Sequence, residues 1–408
     1  MSAESPETQA LLKELYLSLD LKNQGIAVDQ DELRKLAIGT DIVEQKHLCF
    51  DMNKSHVGDL PLPSKFILPH GLYVDFRLDP ESRYRLRVVD GVPSIAKGEE
   101  ILAPVEFYKR DRLYDGTTSD GARFDRIATF DPEGALSVIF SNECDLKQTG
   151  EDCKFCNINS TADAYREKNI SLKTPKQIGE VYAAAYHGGY GNHIRLTGGF
   201  IPERREVEYY LDVADEIKER TGLDKVHGLA VIGAPQDLSA IEKYREAGWT
   251  NLSINIEIWN KDIFHAICPG KSRRSGGWEH WVKALEYAAK VFGKGNVRSN
   301  IVAGIEPKSS ILEGLEYLAS IGVVCYAGAW CPNPGSELEG HRSPETSWHY
   351  DLTLKSAAIL TKHGYATRQL FSCAGSNNTT IDAFRILNGE TVGGKLPFWK
   401  FPVLSKVD

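Results

Sequence analysis

No part of this 408-residue chain is apolar for long. No run approaches the roughly 18 residues that a membrane-spanning helix needs, so no membrane partner is expected. Positive charge is not in excess either. The formal net charge is −8, which points away from nucleic acid and anionic membrane surfaces as partners. The opening "MSAESPETQA" is polar and acidic, without the basic and apolar regions of a signal peptide. A cytoplasmic location is therefore expected, where disulfides are rare and clustered cysteines hold metal or do redox chemistry. The sequence has only one C-x2-C pair, whereas structural zinc sites are often built from two such knuckles. The remainder is ordinary globular composition, 42% hydrophobic and 25% charged, which argues against disorder. The length suits one large α/β barrel with a smaller domain.

Residues 1–130 read as a small α+β domain. "ETQALLKELYLSLDL" and "DQDELRKLA" have helical periodicity, and "GLYVDFRL", "RYRLRVV" and "ILAPVEFYKR" are short and β-rich. From about 131 to 385 the pattern is strand, loop, helix, repeated, and 386–408 is a C-terminal extension. Strand candidates are 135–141, 193–199, 227–234, 251–258, 297–305 and 323–330. Between them, Thr174 and Pro175 open a helix over 175–187, and a helix over 203–221 stops at Gly222. Further helices are expected near 277–292, after the apparent capping box Ser310–Glu313, and near 347–363. Apolar strands separated by helices predict a parallel sheet covered on both faces, a full or partial (β/α) barrel. Function then gathers at the C-terminal strand ends.

One polar loop after the first barrel strand, "SNECDLKQTGEDCKFCNINS", carries Cys144, Cys153 and Cys156 as C-x8-C-x2-C. Lys147 and Lys154 on it would favour the thiolate form. Three thiols suit a 4Fe–4S cluster with one iron open to a small molecule; the alternative is a zinc loop completed by a distant His or Cys, in a barrel that binds a ligand without redox chemistry.

With its three cysteines after the first strand and Phe155 before the last of them, the chain resembles the radical S-adenosylmethionine (SAM) family. That family more often spaces its cysteines C-x3-C-x2-C. "LTGGF" (196–200) is similar to the family's "GGE" motif, which implies that the backbone of Thr197, Gly198 and Gly199 meets the SAM amino group. "INIEI" looks like the "N-x-E" strand of the biotin synthase-like branch, with Asn255 and Glu257 on one face and the acid holding the ribose hydroxyls. "CPGKSRRSG" offers Arg273, then Arg274, for the SAM carboxylate. "NIVAGIEP" resembles the segment that packs the adenine, implying Gly304 and Ile305 there. "AWCPNPGSELEG" (329–340) is similar to a loop of the same branch.

The resemblance implies cleavage of SAM to methionine and a 5′-deoxyadenosyl radical, which takes hydrogen from a small-molecule or cofactor-precursor substrate. It also implies an electron donor such as ferredoxin or flavodoxin. Rearrangement or cleavage, carbon–carbon coupling, methylation and sulfur insertion all stay open. Cys268, Cys331 and Cys373 are placed by this reading at strand ends, where they form a second iron–sulfur cluster, supply a single hydrogen-relaying thiol such as Cys331, or are unrelated. Cys325 reads as a buried small hydrophobe. Arg368 is a candidate clamp for an anionic substrate, and Trp330, Asn333, Asn377 and Asn378 would line the same mouth. His187 and His193 read as loop or helix-end residues.

Overall fold

The computed structural model describes residues 5–45, 56–131, 134–158, 162 and 172–392. Six parallel strands follow one another in chain order across a single sheet: β1 (Ala135–Ile139), β2 (His193–Thr197), β3 (Val226–Ile232), β4 (Trp249–Ile254), β5 (Val297–Ala303) and β6 (Val323–Ala329). They form a curled partial barrel. A two-residue antiparallel strand, Thr129–Phe130, edges it beside β1. All five residues of β1 are buried, as its unbroken apolar sequence requires when both faces are covered.

Helix α1 (Pro6–Gln24) precedes the barrel. Then α2 (Pro175–His187) starts where predicted, with Thr174 and Gln177 making a reciprocal capping box. The next, α3 (Glu203–Thr221), ends on left-handed Gly222 as expected. After β3 comes α4 (Ala240–Glu246), and between β4 and β5 lie α5 (Lys261–Ile267), α6 (Pro269–Arg274) and α7 (Gly277–Phe292). The helix α8 (Lys308–Ser320) begins earlier than the sequence suggested, because Ser310 Oγ donates to the Glu306 carboxylate (2.9 Å) instead of capping. Three helices follow β6: α9 (Thr346–Lys362), α10 (Thr367–Ala374) and α11 (Thr379–Leu387).

The region around Cys373 and Arg368 is not a strand end. It is α10, whose C-terminal carbonyls plug the N-terminal end of the barrel. Ser372 O lies 2.9 Å from His193 Nε2, Ala374 O accepts from Arg195 (3.3 Å) and Cys373 O from Arg298 (3.2 Å). His193 opens β2 and Arg298 is the second residue of β5, and no strand periodicity competes with the helical pattern of "TRQLFSCA". The N-terminal segment builds small antiparallel sheets, among them Lys65–Ile67 with Tyr73–Asp75 and Glu106–Phe107. It is tied to the barrel through α1: Asn23 donates to Pro344 O (3.1 Å) and Thr346 Oγ1 to Asp20 (2.7 Å). Leu15 and Leu72 are buried among core residues of α9, α10 and α11. No helix among the described residues is long and apolar enough to cross a membrane. Most of the C-terminal extension, from 393 on, lies outside the described residues.

Candidate active site

The cysteine loop leaves β1 and lies flat on the end of β2. A Cβ on Gly199 would stand 1.8 Å from Glu143 O, and one on Gly198 would stand 2.5 Å from the Phe140 ring. The paired glycines are therefore required by this close approach of backbone to backbone and ring. Asp145 N–H donates to Phe200 O (2.8 Å) and Gly199 N–H to Ser141 O (3.1 Å), which fixes the loop's departure. The eight residues between the first two cysteines include one helical turn, Asp145–Gln148. They are docked on α6, where Glu151 takes the Gly270 N–H on its carbonyl (2.8 Å) and Arg273 on its carboxylate (2.9 Å).

The three thiols share one neighbourhood. Cys144 is buried with Ile139, Leu146 and Ile158, and Cys156 packs against the same group. Burial pushes the Cys144 thiol up, with charge on Cys153 adding to the rise. Cys153 shifts the other way: its contact with the Cys268 thiol lowers it most, against burial, and the Lys271 ammonium lowers it further. Burial holds Cys268 well above the usual thiol range. Among the described residues no three His, Cys, Asp or Glu side chains stand as a closed metal site. Three soft thiols on one loop, seated in a cradle that a Cβ would fill, nevertheless fit an iron–sulfur cluster as donor set and position. Neither loop lysine serves them as expected. Lys147 pairs with Asp152 (3.0 Å) and Lys154 with Glu337 (2.9 Å).

Beyond β4 the chain keeps Asn255 and Glu257 on one side, but through a tight turn and not a continued strand. Ile258 N–H donates to Ile256 O (2.8 Å) around Glu257, whose φ is +66°, a strained conformation for a residue with a Cβ. Ile256 and Ile258 are fully buried, while Asn255 and Glu257 line the central cavity. The cation that meets them is Lys271, not Arg273 or Arg274. Lys271 Nζ donates to Asn255 O (2.8 Å), contacts Glu257 Oε1 (3.1 Å) and sits 4.2 Å from the Trp281 ring centroid. Arg273 and Arg274 point to the cysteine loop: Arg274 Nη1 donates to Thr149 Oγ1 (2.8 Å), and Arg273 is 63% exposed. A short helix puts residues 271 and 273 on opposite sides, and the sequence alone does not say which side is inward.

Gly304 has φ +121° and packs beneath Pro344; Ile305 lies against the core, and neither lines the cavity. The buried Glu306 carboxylate accepts from Trp259 N–H and Asn260 N–H, both at 2.7 Å, and holds the turn after Glu257 in place. Burial raises its pKa despite these bonds. The sequence marked Glu306 only as a strand end.

The cavity, about 690 Å³, runs along the barrel axis to the N-terminal segment. Trp330, Asn333, Asn377 and Asn378 line it, together with Phe155 and Cys331. Five cations face it, and four have carboxylate partners. Lys22 pairs with Asp75 (3.6 Å), Lys65 and Arg195 with Asp131 (3.0 and 4.0 Å), and Arg77 with Asp79 (4.0 Å). The fifth is Arg298, which sequence reasoning passed over as an ordinary strand residue. Burial, and secondarily Arg195, lowers it to about 10.

The other candidates disperse. Cys268 is buried beside Cys153, and Cys331 Sγ lies 3.8 Å from Lys22 O. Cys373 Sγ is 3.1 Å from Gly295 O at the opposite end of the barrel. The three do not form a second cluster site. Arg368 lies in the first turn of α10, away from the cavity, and clamps nothing there. Cys325 is buried on β6 as expected.

A parallel partial barrel with a cysteine loop after its first strand and a polar axial cavity is the architecture of a cofactor-dependent barrel enzyme. The comparisons name the class: residues 138–318, most of the barrel, match the Radical SAM superfamily. Such domains use a 4Fe–4S cluster and SAM. The chain is 28% identical over 263 residues to bacteriochlorophyllide c C-7(1)-hydroxylase of Chlorobaculum limnaeum, covering 61% of this chain and 65% of that one. It is 28% identical over 159 residues to 5-amino-6-(D-ribitylamino)uracil–L-tyrosine 4-hydroxyphenyl transferase of Methanopyrus kandleri, covering 36% and 39%. It thus spans less than two thirds of the length of these relatives. Methylornithine synthase is similar in structure at a TM-score of 0.44 and 18% identity, over 70% of this chain and 79% of that one.

Proposed function

We propose that this protein is a radical SAM enzyme acting on a small molecule held in the axial cavity, with Cys144, Cys153 and Cys156 as the ligands of its 4Fe–4S cluster. When bound, the cluster supplies the electron that splits SAM into methionine and a 5′-deoxyadenosyl radical. One observation carries the reading: Phe155, the residue before Cys156, lines the cavity together with Asn255 and Glu257, so the thiol loop meets the cavity there.

The protein's own residues have defined tasks. Glu257 and Asn255 hold the ribose hydroxyls, and Lys271 holds the Glu257 carboxylate in position. The backbone at Gly198 and Gly199 seats the cysteine loop. The α10 carbonyls cap the N-terminal end of the barrel and the N-terminal segment lines the cavity, which limits solvent around a reactive intermediate. The two relatives are named for different reactions, a hydroxylation and a 4-hydroxyphenyl transfer. The barrel accordingly supplies the radical chemistry and the cavity selects the substrate, which we take to be a cofactor precursor. A soluble ferredoxin or flavodoxin in the cytoplasm serves as electron donor.

The test is anaerobic reconstitution followed by addition of SAM and dithionite. About four irons per chain and release of 5′-deoxyadenosine are expected. Stoichiometric zinc without iron, in protein purified without air, would overturn the reading.

A further inference from the structure

A guanidinium removed from water is stable when a counter-charge accompanies it. Arg298 lacks one. Its residue is 8% exposed and lines the cavity, and no carboxylate among the described residues pairs with it. Nη1 donates to Cys373 O (3.2 Å). Nη2 reaches the amide oxygen of Asn300 at 2.8 Å when that amide is oriented to accept. Nε is buried and has no partner. The carbonyls at the end of α10 carry only the partial negative charge of a helix C-terminus, about half a charge. The neighbouring Arg195 adds positive charge and already shares Asp131 with Lys65.

From this geometry we infer that Arg298 is the anchor of a carboxylate on the substrate, bound at the deep, N-terminal end of the barrel cavity. The free Nε lies beside Nη2 on the edge of the guanidinium that a carboxylate fits with two parallel hydrogen bonds. One uncompensated positive charge matches one negative charge. A phosphate dianion would leave an excess beside Asp131 and Glu257, which line the same space. The site lies near the start of β5, whereas Asn255 and Glu257 follow the end of β4. A substrate anchored by its acid group would thus extend up the barrel axis toward the SAM end. The inference rests on the radical SAM reading in assigning the anion to a substrate; the binding of the anion itself does not.

Calorimetric titration of the reconstituted full-length protein with hexanoate and with hexanamide tests it. These probes have the same chain and differ in charge. Hexanoate should bind about tenfold or more tightly than hexanamide, the range expected for charged hydrogen bonds. Arg298→Gln keeps a donor for the α10 carbonyls and should abolish the preference; Arg298→Lys should retain part of it. Lys22→Gln, which removes a cation already paired with Asp75, should leave the preference intact. Equal binding of the two probes to the unaltered protein overturns the inference even if neither Arg298 variant folds. So does a preference that survives Arg298→Gln or disappears in Lys22→Gln. Hexanoate preference without 5′-deoxyadenosine formation would separate a failure of the radical SAM reading from a failure of this one.

Discussion

Adding a single methyl group at Gly199 should cost this protein its cluster before it costs the fold. The Cβ would lie 1.8 Å from Glu143 O and 3.1 Å from Cys144 Cα. That is about 1.6 Å inside ordinary van der Waals contact, and both neighbours are backbone, which cannot rotate out of the way. Either β2 or the cysteine loop must move by more than an ångström. The strand is hydrogen-bonded on both sides, to β1 and β3, whereas the loop is held by fewer bonds. We therefore expect Gly199→Ala to displace Cys144 and to destabilise the protein by about 1–3 kcal/mol, the usual cost of overpacking. Iron content after anaerobic reconstitution, read beside a urea unfolding curve, separates the two effects. The expected result is iron reduced several-fold with most of the unfolding free energy retained. Unchanged iron and unchanged 5′-deoxyadenosine formation would refute the argument that loop docking on the paired glycines sets the cluster site.

Other predictions follow from the same contacts. Lys271→Met leaves the largely buried Glu257 carboxylate without its partner and should destabilise by about 3–5 kcal/mol; the double variant with Glu257→Gln should recover part of that stability but not SAM affinity, as equilibrium binding would show. Arg273→Ala, removing an exposed pair, should change stability by no more than about 1 kcal/mol, and Arg368→Ala should leave 5′-deoxyadenosine formation unchanged. Glu306→Ala removes the acceptor for two backbone N–H groups and should cost about 2–4 kcal/mol, measurable by denaturant titration. Burial raises Glu206 to about 8 from 4.5, so the folded state holds a proton that the unfolded chain releases. Its stabilising contribution is complete below about pH 4.5 and lost as pH rises through 8. Melting temperature followed over that range should fall more steeply in the unaltered protein than in Glu206→Gln; parallel curves would refute the assignment.

The elements that could be read from the sequence are those with local causes. Thr174 and Pro175 fixed the start of α2 because a cap and a proline act within one turn, and Gly222 ended α3 by its left-handed backbone. The all-apolar "ALSVI" identified a strand covered on both faces. Asn255 and Glu257 were found on the cavity side, although the chain reaches that arrangement through the turn at Glu257 and not by strand alternation. The errors came where direction depends on a distant partner. In "KSRR" the local spacing allows several inward faces, and it is Glu257, fourteen residues before Lys271, that selects one. The "FSCAGSNN" stretch reads in sequence as a late-strand end. It is instead helix and turn, held by Arg298 and His193 from strands far away in sequence.

By itself, then, the sequence determined the parallel barrel, the three-thiol loop and the class of chemistry they serve. The first two rest on hydrophobic period, caps and spacing along a continuous chain, and the third on the resemblance of its motifs to the radical SAM family. The eight-residue gap between Cys144 and Cys153 acquired a reason only in three dimensions, as a helical turn docked against α6. Tertiary structure alone also chose Lys271 over its arginine neighbours, separated Cys268, Cys331 and Cys373, and left Arg298 without a carboxylate partner among the described residues. A charge is satisfied or unsatisfied by what surrounds it in space, and a one-dimensional pattern does not carry that information.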